Sequence, residues 1–303
     1  MLWRLRTAGM FLFMTLLLMA IGALISYIVG ADWMYGIVAM LIVSSFLCVF
    51  SYFGSKDMAL KANGARIITE AENPRLYSVV RDVARKAGIS MPEVGIVDSG
   101  MANAFATGRN PENAAVVATT GLLDLLPDDE LEGVIAHEMS HVKNRDILVM
   151  SVASAMAVMI TYVSRIAIFA SMFNGNNRNS YAYIIALVAS ITVPIAAVLV
   201  QLGISRNREY LADKSGAEII QNPRALANAL NRLENGNQTV YSYTLNDQNA
   251  RSAPSPAEDY DFAHMWIAGS PKKTGLTTRM FSTHPPMEER IRRLDEMAEK
   301  MGL

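Results

Sequence analysis

Pro127-Asp128-Asp129-Glu130-Leu131-Glu132-Gly133-Val134-Ile135-Ala136-His137-Glu138-Met139-Ser140-His141 carries both a helical pattern and a concentrated chemistry. Proline at the first position and three acidic residues behind it suit the positive end of a helix dipole. Leu131, Val134 and Ile135 recur at helical spacing and mark a buried side. His137 and His141, four residues apart, face the same way about 6 Å apart along the axis. Two imidazoles so placed reach one zinc ion at about 2.0 to 2.1 Å. Glu138 lies about 100° around the helix from His137. That offset keeps it out of the ligand position but beside a water at the metal, where a carboxylate takes the proton as the water attacks a carbonyl. The bland alternative is an accidental pairing of surface histidines. With four histidines in the chain, a chance match at all three positions is rare. A structural zinc site would need no Glu138 and would close its fourth position with protein.

A catalytic zinc commonly has a third protein ligand and one open position. Glu209, in Arg208-Glu209-Tyr210-Leu211-Ala212-Asp213, is the expected third ligand. Asp213, four residues on, shares its face and is placed to hold a ligating histidine by its free ring N–H. Two solvated acids on a helix are the alternative, and the decision depends on what lies between the two motifs.

That intervening chain is apolar. The 303 residues are 51% hydrophobic and only 18% charged, more apolar than one soluble core requires. Twenty-seven basic and 28 acidic residues leave a net charge of -1, so no overall basic field argues for wrapping nucleic acid. The single cysteine, Cys48, excludes an intramolecular disulfide and a cysteine-based zinc site. Four stretches are long enough for the roughly 20 helical residues that about 30 Å of hydrocarbon demands: Thr7 to Ala31, Trp33 to Ser55, Ile147 to Phe173 interrupted by Arg165, and about Tyr181 to Ile204.

The first two are predicted to form one hairpin with Asp32 at its tip, and the last two another with Asn174 to Ser180 as its turn. A signal peptide over residues 1–30 is the rival for the first run, but the run is too long, lacks a small-x-small cleavage site and is followed at once by another. Buried soluble helices are the rival for the last two, favoured by Arg165. Arg4, Arg6, Lys56, Lys61 and Arg66 flank the first hairpin, and Lys143, Arg145, Arg206 and Arg208 the second, which orients the remaining chain to the cytosol. Helices running unbroken into the second hairpin would put His141 about 9 Å and Glu209 about 7.5 Å from its edges, at 1.5 Å per residue. The two ligands then stand at similar heights, and a two-helix excursion brings them together.

The expected domains are therefore a transmembrane hairpin over 1–55, a first catalytic part over 56–146, a second hydrophobic hairpin over 147–204 and a second catalytic part over 205–303. The catalytic mass is expected to be mainly α with a small β-sheet, an α+β zincin-like domain. Helices are predicted at Pro74 to Lys86, from Thr120 or Pro127, at Pro223 to Leu233 and at Pro286 to Lys300; strands at Val94 to Asp98 and Ala114 to Thr119; loops at Tyr243 to Asp261 and Gly269 to Thr283. No GxxxxGK[ST] occurs, so no built-in ATPase is expected.

Ala136 to His141 followed by Lys143-Asn144-Arg145-Asp146, then Glu209 to Asp213, then Ser282-Thr283-His284-Pro285-Pro286 with Glu289-Arg290-Ile291, closely resembles the HtpX family of bacterial membrane zinc metalloproteases, gluzincins related to the CAAX prenyl proteases. The resemblance covers nearly the whole chain. It implies one zinc per chain held by His137, His141 and Glu209, with Glu138 as general base and Asp213 behind a ligand. It also implies an ATP-independent endopeptidase of the bacterial inner membrane, facing the cytosol, acting on misfolded or damaged membrane proteins in stress-related quality control, with no nucleic-acid partner. Asn103-Ala104-Phe105 resembles the family's substrate-binding edge strand, to which an extended peptide adds by backbone pairing. His284 matches the family histidine suggested to stabilise the oxyanion; a loop histidine capping the final helix is its plainer reading. A non-hydrolytic membrane adaptor or holdase with a structural zinc is the rival function, and Glu138 argues against it.

Overall fold

The computed structural model describes residues 30–146, 206–246 and 285–303, together with residues 12, 15, 16, 18–23, 26 and 27. The chain divides into two compact units, Met1–Gly54 with Leu148–Gly203, and Ser55–Ile147 with Ile204–Leu303. His264, His284 and the segments 147–204 and 269–283 lie outside the described residues.

Helix α1 (Trp33–Ala62) supplies most of what is described of the first unit. Asp32 starts it, its Oδ1 accepting the Met34 N–H at 2.9 Å in place of a missing helical partner. Near this start the backbones of residues 22 and 36 touch, since a Cβ on Gly36 would lie 1.9 Å from the Gly22 carbonyl oxygen. Glycine at both positions is what permits the approach. Trp33, Tyr35, Val38, Ile42, Phe46, Val49 and Phe53 along α1 are exposed. Counted over the described residues alone, no helix is long and apolar enough to cross a membrane.

The second unit is mainly helical around a four-stranded sheet. Strands β1 (Arg66–Ile67), β2 (Glu93–Val97), β3 (Ala104–Gly108) and β4 (Ala114–Thr119) lie in the order β1-β2-β4-β3. β2 and β4 are parallel, and the other two pairs are antiparallel. Short alanine and valine side chains on β2, β3 and β4 let both sheet faces be covered. One face joins the main core with Leu76, Val80 and Val83 of α2 (Pro74–Ala87) and Leu131, Val134, Ile135 and Met139 of α4 (Asp128–Asn144). The other packs Phe105, Val97 and Val117 against Leu60.

Local signals place the helices. Asn73 caps α2, its Oδ1 accepting the Leu76 N–H at 2.9 Å, Pro74 opens it and Gly88 closes it in the left-handed conformation. Thr119 caps the short α3 (Thr120–Leu125). Residues 206–220 form α5, followed by α6 (Pro223–Asn246) and α7 (Met287–Met301).

The structure differs from the sequence reading in three places. α6 runs past the expected end at Leu233 to Asn246, into the start of the loop expected at Tyr243 to Asp261. Gly236 lies within this helix beside Leu125, whose side-chain end a Cβ there would meet at 2.9 Å. β1 is two residues long and shows no period of its own. The third concerns α4, which does not run unbroken toward Ile147. Arg145 adopts φ 58°, and its N–H closes the helix onto the His141 and Val142 carbonyls.

Candidate active site

α4 and α5 carry the site, and their closeness is set by glycine. A Cβ on Gly216 of α5 would lie 2.9 Å from the His137 backbone nitrogen. Gly133 likewise faces Leu226 of α6 at 2.9 Å. The helices therefore approach backbone to backbone, and Glu209 and Asp213, on the Gly216 face of α5, meet the histidines of α4.

His137 Nε2 and His141 Nε2 stand 3.2 Å apart. Glu209 Oε2 is 3.7 Å from the first and Oε1 is 3.6 Å from the second. A tetrahedral metal with ligands at about 2.05 Å has ligand-to-ligand edges of about 3.3 Å. One ligand atom from each of His137, His141 and Glu209 falls within a 4.8 Å cluster, so the donor set fits a zinc ion.

The other ring nitrogens are held as well. His137 Nδ1 lies 2.9 Å from Asp213 Oδ1, and His141 Nδ1 lies 3.0 Å from Asp146 Oδ2. Each carboxylate in turn takes an arginine. Arg290 donates Nε to Asp213 Oδ2 at 2.8 Å and Nη2 to Oδ1 at 2.7 Å, while Arg208 donates Nη1 to Asp146 Oδ1 at 2.7 Å. Both imidazoles thus present Nε2 to the centre because a carboxylate backed by a guanidinium occupies Nδ1.

Arg290 is wholly enclosed and also lies 3.5 Å from Glu209 Oε2. Burial of its positive charge is made tolerable by these carboxylates.

The electrostatics suit a dication. Glu138, Glu209, Asp213 and Asp146 are buried carboxyl groups, opposed by Arg290 and Arg208. Burial, helped by Glu209, pushes the Glu138 carboxyl up to about 8 against the pull of His141 and an Ala106 backbone N–H. A dication beside it acts in the opposite sense. Burial also drives the His137 imidazole down, toward the neutral form that binds metal, although Asp213 opposes this. For His141 burial acts downward, but the Asp146 hydrogen bond and the Glu209 and Glu138 charges outweigh it and raise the ring to about 9. Asp213 is lowered to about 2, since Arg290 overcomes its burial.

Of the residues expected from sequence, His137, Glu138, His141, Glu209 and Asp213 come together in one buried cluster. Asn103 immediately precedes β3, an edge strand that packs on α4, and Ala104 and Phe105 begin it. The Thr119 N–H donates to the Asn103 carbonyl at 2.9 Å, and the alternation of an antiparallel pair turns the Phe105 backbone to β4 and the Ala104 backbone away from it, where the buried Ala104 N–H donates to Asn103 Oδ1 at 3.1 Å. The Phe105 side chain is core. Sequence alone gives Asp146, Arg208, Arg290 and Gly216 no role at the metal centre. Asp146 and Arg290 stand inside recognisable motifs, but which imidazole each serves is a tertiary fact.

Fold and donor set together define a zinc metalloprotease. Residues 70–298 match peptidase family M48, and the chain belongs to that family. It is 44% identical over 261 residues to the protease HtpX homolog of Tropheryma whipplei (strain Twist), covering 85% of this chain and 84% of that one. It is 42% identical over 270 residues to the protease HtpX homolog of Sulfurihydrogenibium sp. (strain YO3AOP1), covering 88% of each. The fold is also that of the crystal structure of S. mikatae Ste24p, with a TM-score of 0.52 and 18% identity, covering 95% of this chain and 63% of that longer chain.

Proposed function

We propose that this metalloprotease is a multi-pass endopeptidase of the bacterial inner membrane that cuts misfolded or damaged membrane proteins on the cytosolic side, in stress-related quality control and without ATP. The observation that carries the chemistry is the convergence of His137, His141 and Glu209 with the buried Glu138 beside them. Bound there, zinc supplies Lewis-acid polarisation of oxygen near neutral pH.

The chain's own residues do the rest. Asp213 and Asp146 orient the two imidazoles. Glu138 takes a proton from the attacking water and delivers it to the leaving amine. An extended peptide adds by backbone pairing along Asn103, Ala104 and Phe105 at the edge strand β3, displacing the Asn103 Oδ1 contact on the Ala104 N–H. His284 is assigned the stabilisation of charge developing on the carbonyl oxygen.

Four long apolar runs and the exposed apolar side chains of α1 support the membrane assignment. The touching glycines at 22 and 36 support a closely packed first hairpin. Basic residues beside the runs support a cytosolic catalytic unit.

The test uses a reporter whose cleavable sequence is moved stepwise from its transmembrane helix by flexible linkers. Cleavage by the full-length protein is expected to be best near the membrane, to need zinc and to vanish with a chelator. Equal cutting at every distance overturns the membrane-proximal reading, and labelling of residues 174–180 from the cytosol overturns the topology.

A further inference from the structure

We propose that Asp146 and Arg208 are positioning residues for the metal ligand His141, and that they act by joining the two ends of the apolar segment 147–204. The proposal rests on the metal-centre reading above. Asp146 is almost wholly buried, and its two oxygens divide their work. Oδ2 meets His141 Nδ1 at 3.0 Å, and Oδ1 accepts from Arg208 at 2.7 Å.

The local backbone explains why a residue just past the end of α4 reaches back to it. Arg145 is left-handed at φ 58°, a conformation unfavourable for a residue with a Cβ. The turn ends the helix and places Asp146 over the His141 ring. Continued helix would carry residue 146 five positions, about 500° of rotation, around from His141 and off its face.

His137 and His141 are not equally held. His137 is fully enclosed and flanked by Asp213 and Arg290. His141 keeps some exposure, its side chain at 14%, and Asp146 is the carboxylate on its Nδ1. An anion this buried needs a cation partner, and Arg208 provides it from 62 residues along the chain. Everything between 147 and 204 lies within the loop that this pair closes. The orientation of one metal ligand is thereby tied to the two points where the chain departs for the apolar segment and returns.

Simple electrostatics makes the opposite prediction for Arg208. Removing a positive charge near a bound dication should tighten binding, whereas removing a positioning group should weaken it. Zinc affinity of the full-length protein in detergent, measured by competition with a chromophoric chelator, separates the two. Arg208→Gln is expected to weaken zinc about tenfold to a hundredfold, and Arg208→Lys, which keeps the charge but not the planar fork, to lose less.

In an Asp146→Ala background Arg208→Gln is expected to add no further loss, because its effect passes through the carboxylate. The cobalt-substituted protein is expected to show an altered visible band in Arg208→Gln, and Arg81→Gln, at an exposed ion pair with Glu70, to behave as wild type. Arg208→Gln binding zinc as tightly as wild type or tighter, or the same loss with Asp146 already removed, overturns the proposal. Should Arg208→Gln not fold, Arg208→Lys decides it by the same affinity and cobalt band. A wild-type protein that takes up no zinc overturns the metal reading itself, and this proposal with it.

Discussion

Gly216 and His137 touch through their backbones: a Cβ on Gly216 would lie 2.9 Å from the His137 nitrogen and 3.0 Å from its Cα. The neighbouring atoms are main chain in the middle of α4, which cannot turn aside as a flexible side chain would. The missing side chain sets how near α5 comes to α4. Glu209 and Asp213 lie seven and three residues before Gly216 on the same face, so the same contact sets their reach to the histidines.

Gly216→Ala is expected to force the helices apart at a cost of about 1 to 3 kcal/mol, with weaker zinc binding in the protein that still folds. Denaturant unfolding and metal titration measure the two effects. Unchanged zinc affinity would mean that the close approach serves packing alone.

Glu138→Gln is expected to keep zinc and lose hydrolysis, by on the order of a hundredfold to ten-thousandfold. The amide matches the carboxylate in size but cannot accept the water's proton. Metal content together with turnover of a peptide reporter tests this, and substantial residual turnover would remove Glu138 from the base role.

Glu209→Ala should act in the reverse order, lowering metal occupancy first and activity as a consequence, since one member of the His137, His141 and Glu209 cluster is removed. Normal zinc content after desalting would place the third ligand elsewhere.

Arg290 and Asp213 form a buried pair with two hydrogen bonds. Arg290→Met leaves the Asp213 charge enclosed without its guanidinium, with only His137 Nδ1 beside it, and is expected to cost about 3 to 5 kcal/mol. Adding Asp213→Leu should restore much of that stability. It should not restore zinc affinity, because His137 then has no acceptor on Nδ1. Recovery of both would show that the pair does not orient the imidazole.

Glu72 accepts the Thr69 N–H at 2.7 Å and pairs with Arg66, which together lower its carboxyl from 4.5 to about 2. A group depressed in the folded state stabilises above its unfolded value and loses that contribution as pH falls through the folded one. Glu72→Gln should therefore be less stable than wild type above pH 4.5, with the difference closing by about pH 2. A difference independent of pH across this window would assign the effect to something other than ionisation.

The sequence by itself determines what depends on short range. Two histidines four apart on a helix share a face wherever that helix lies, so the metal motif of α4 is legible from Pro127 to His141. The caps at Asn73 and Thr119 and the alternating valines and alanines of β4 are local in the same sense. The apolar runs are visible because burial in lipid or core demands uninterrupted composition.

What only the tertiary structure decides is which distant group completes each local one. Arg290 lies 153 residues from His137, and a buried charge takes as partner whatever packing brings beside it. The left-handed turn at Arg145 has no glycine to announce it, yet it aims Asp146 at His141. Nothing in one dimension marks Gly216 or Gly236. Gly216 becomes necessary once the main chain of a second helix occupies the space a Cβ would fill, whereas Gly236 faces only the movable end of Leu125.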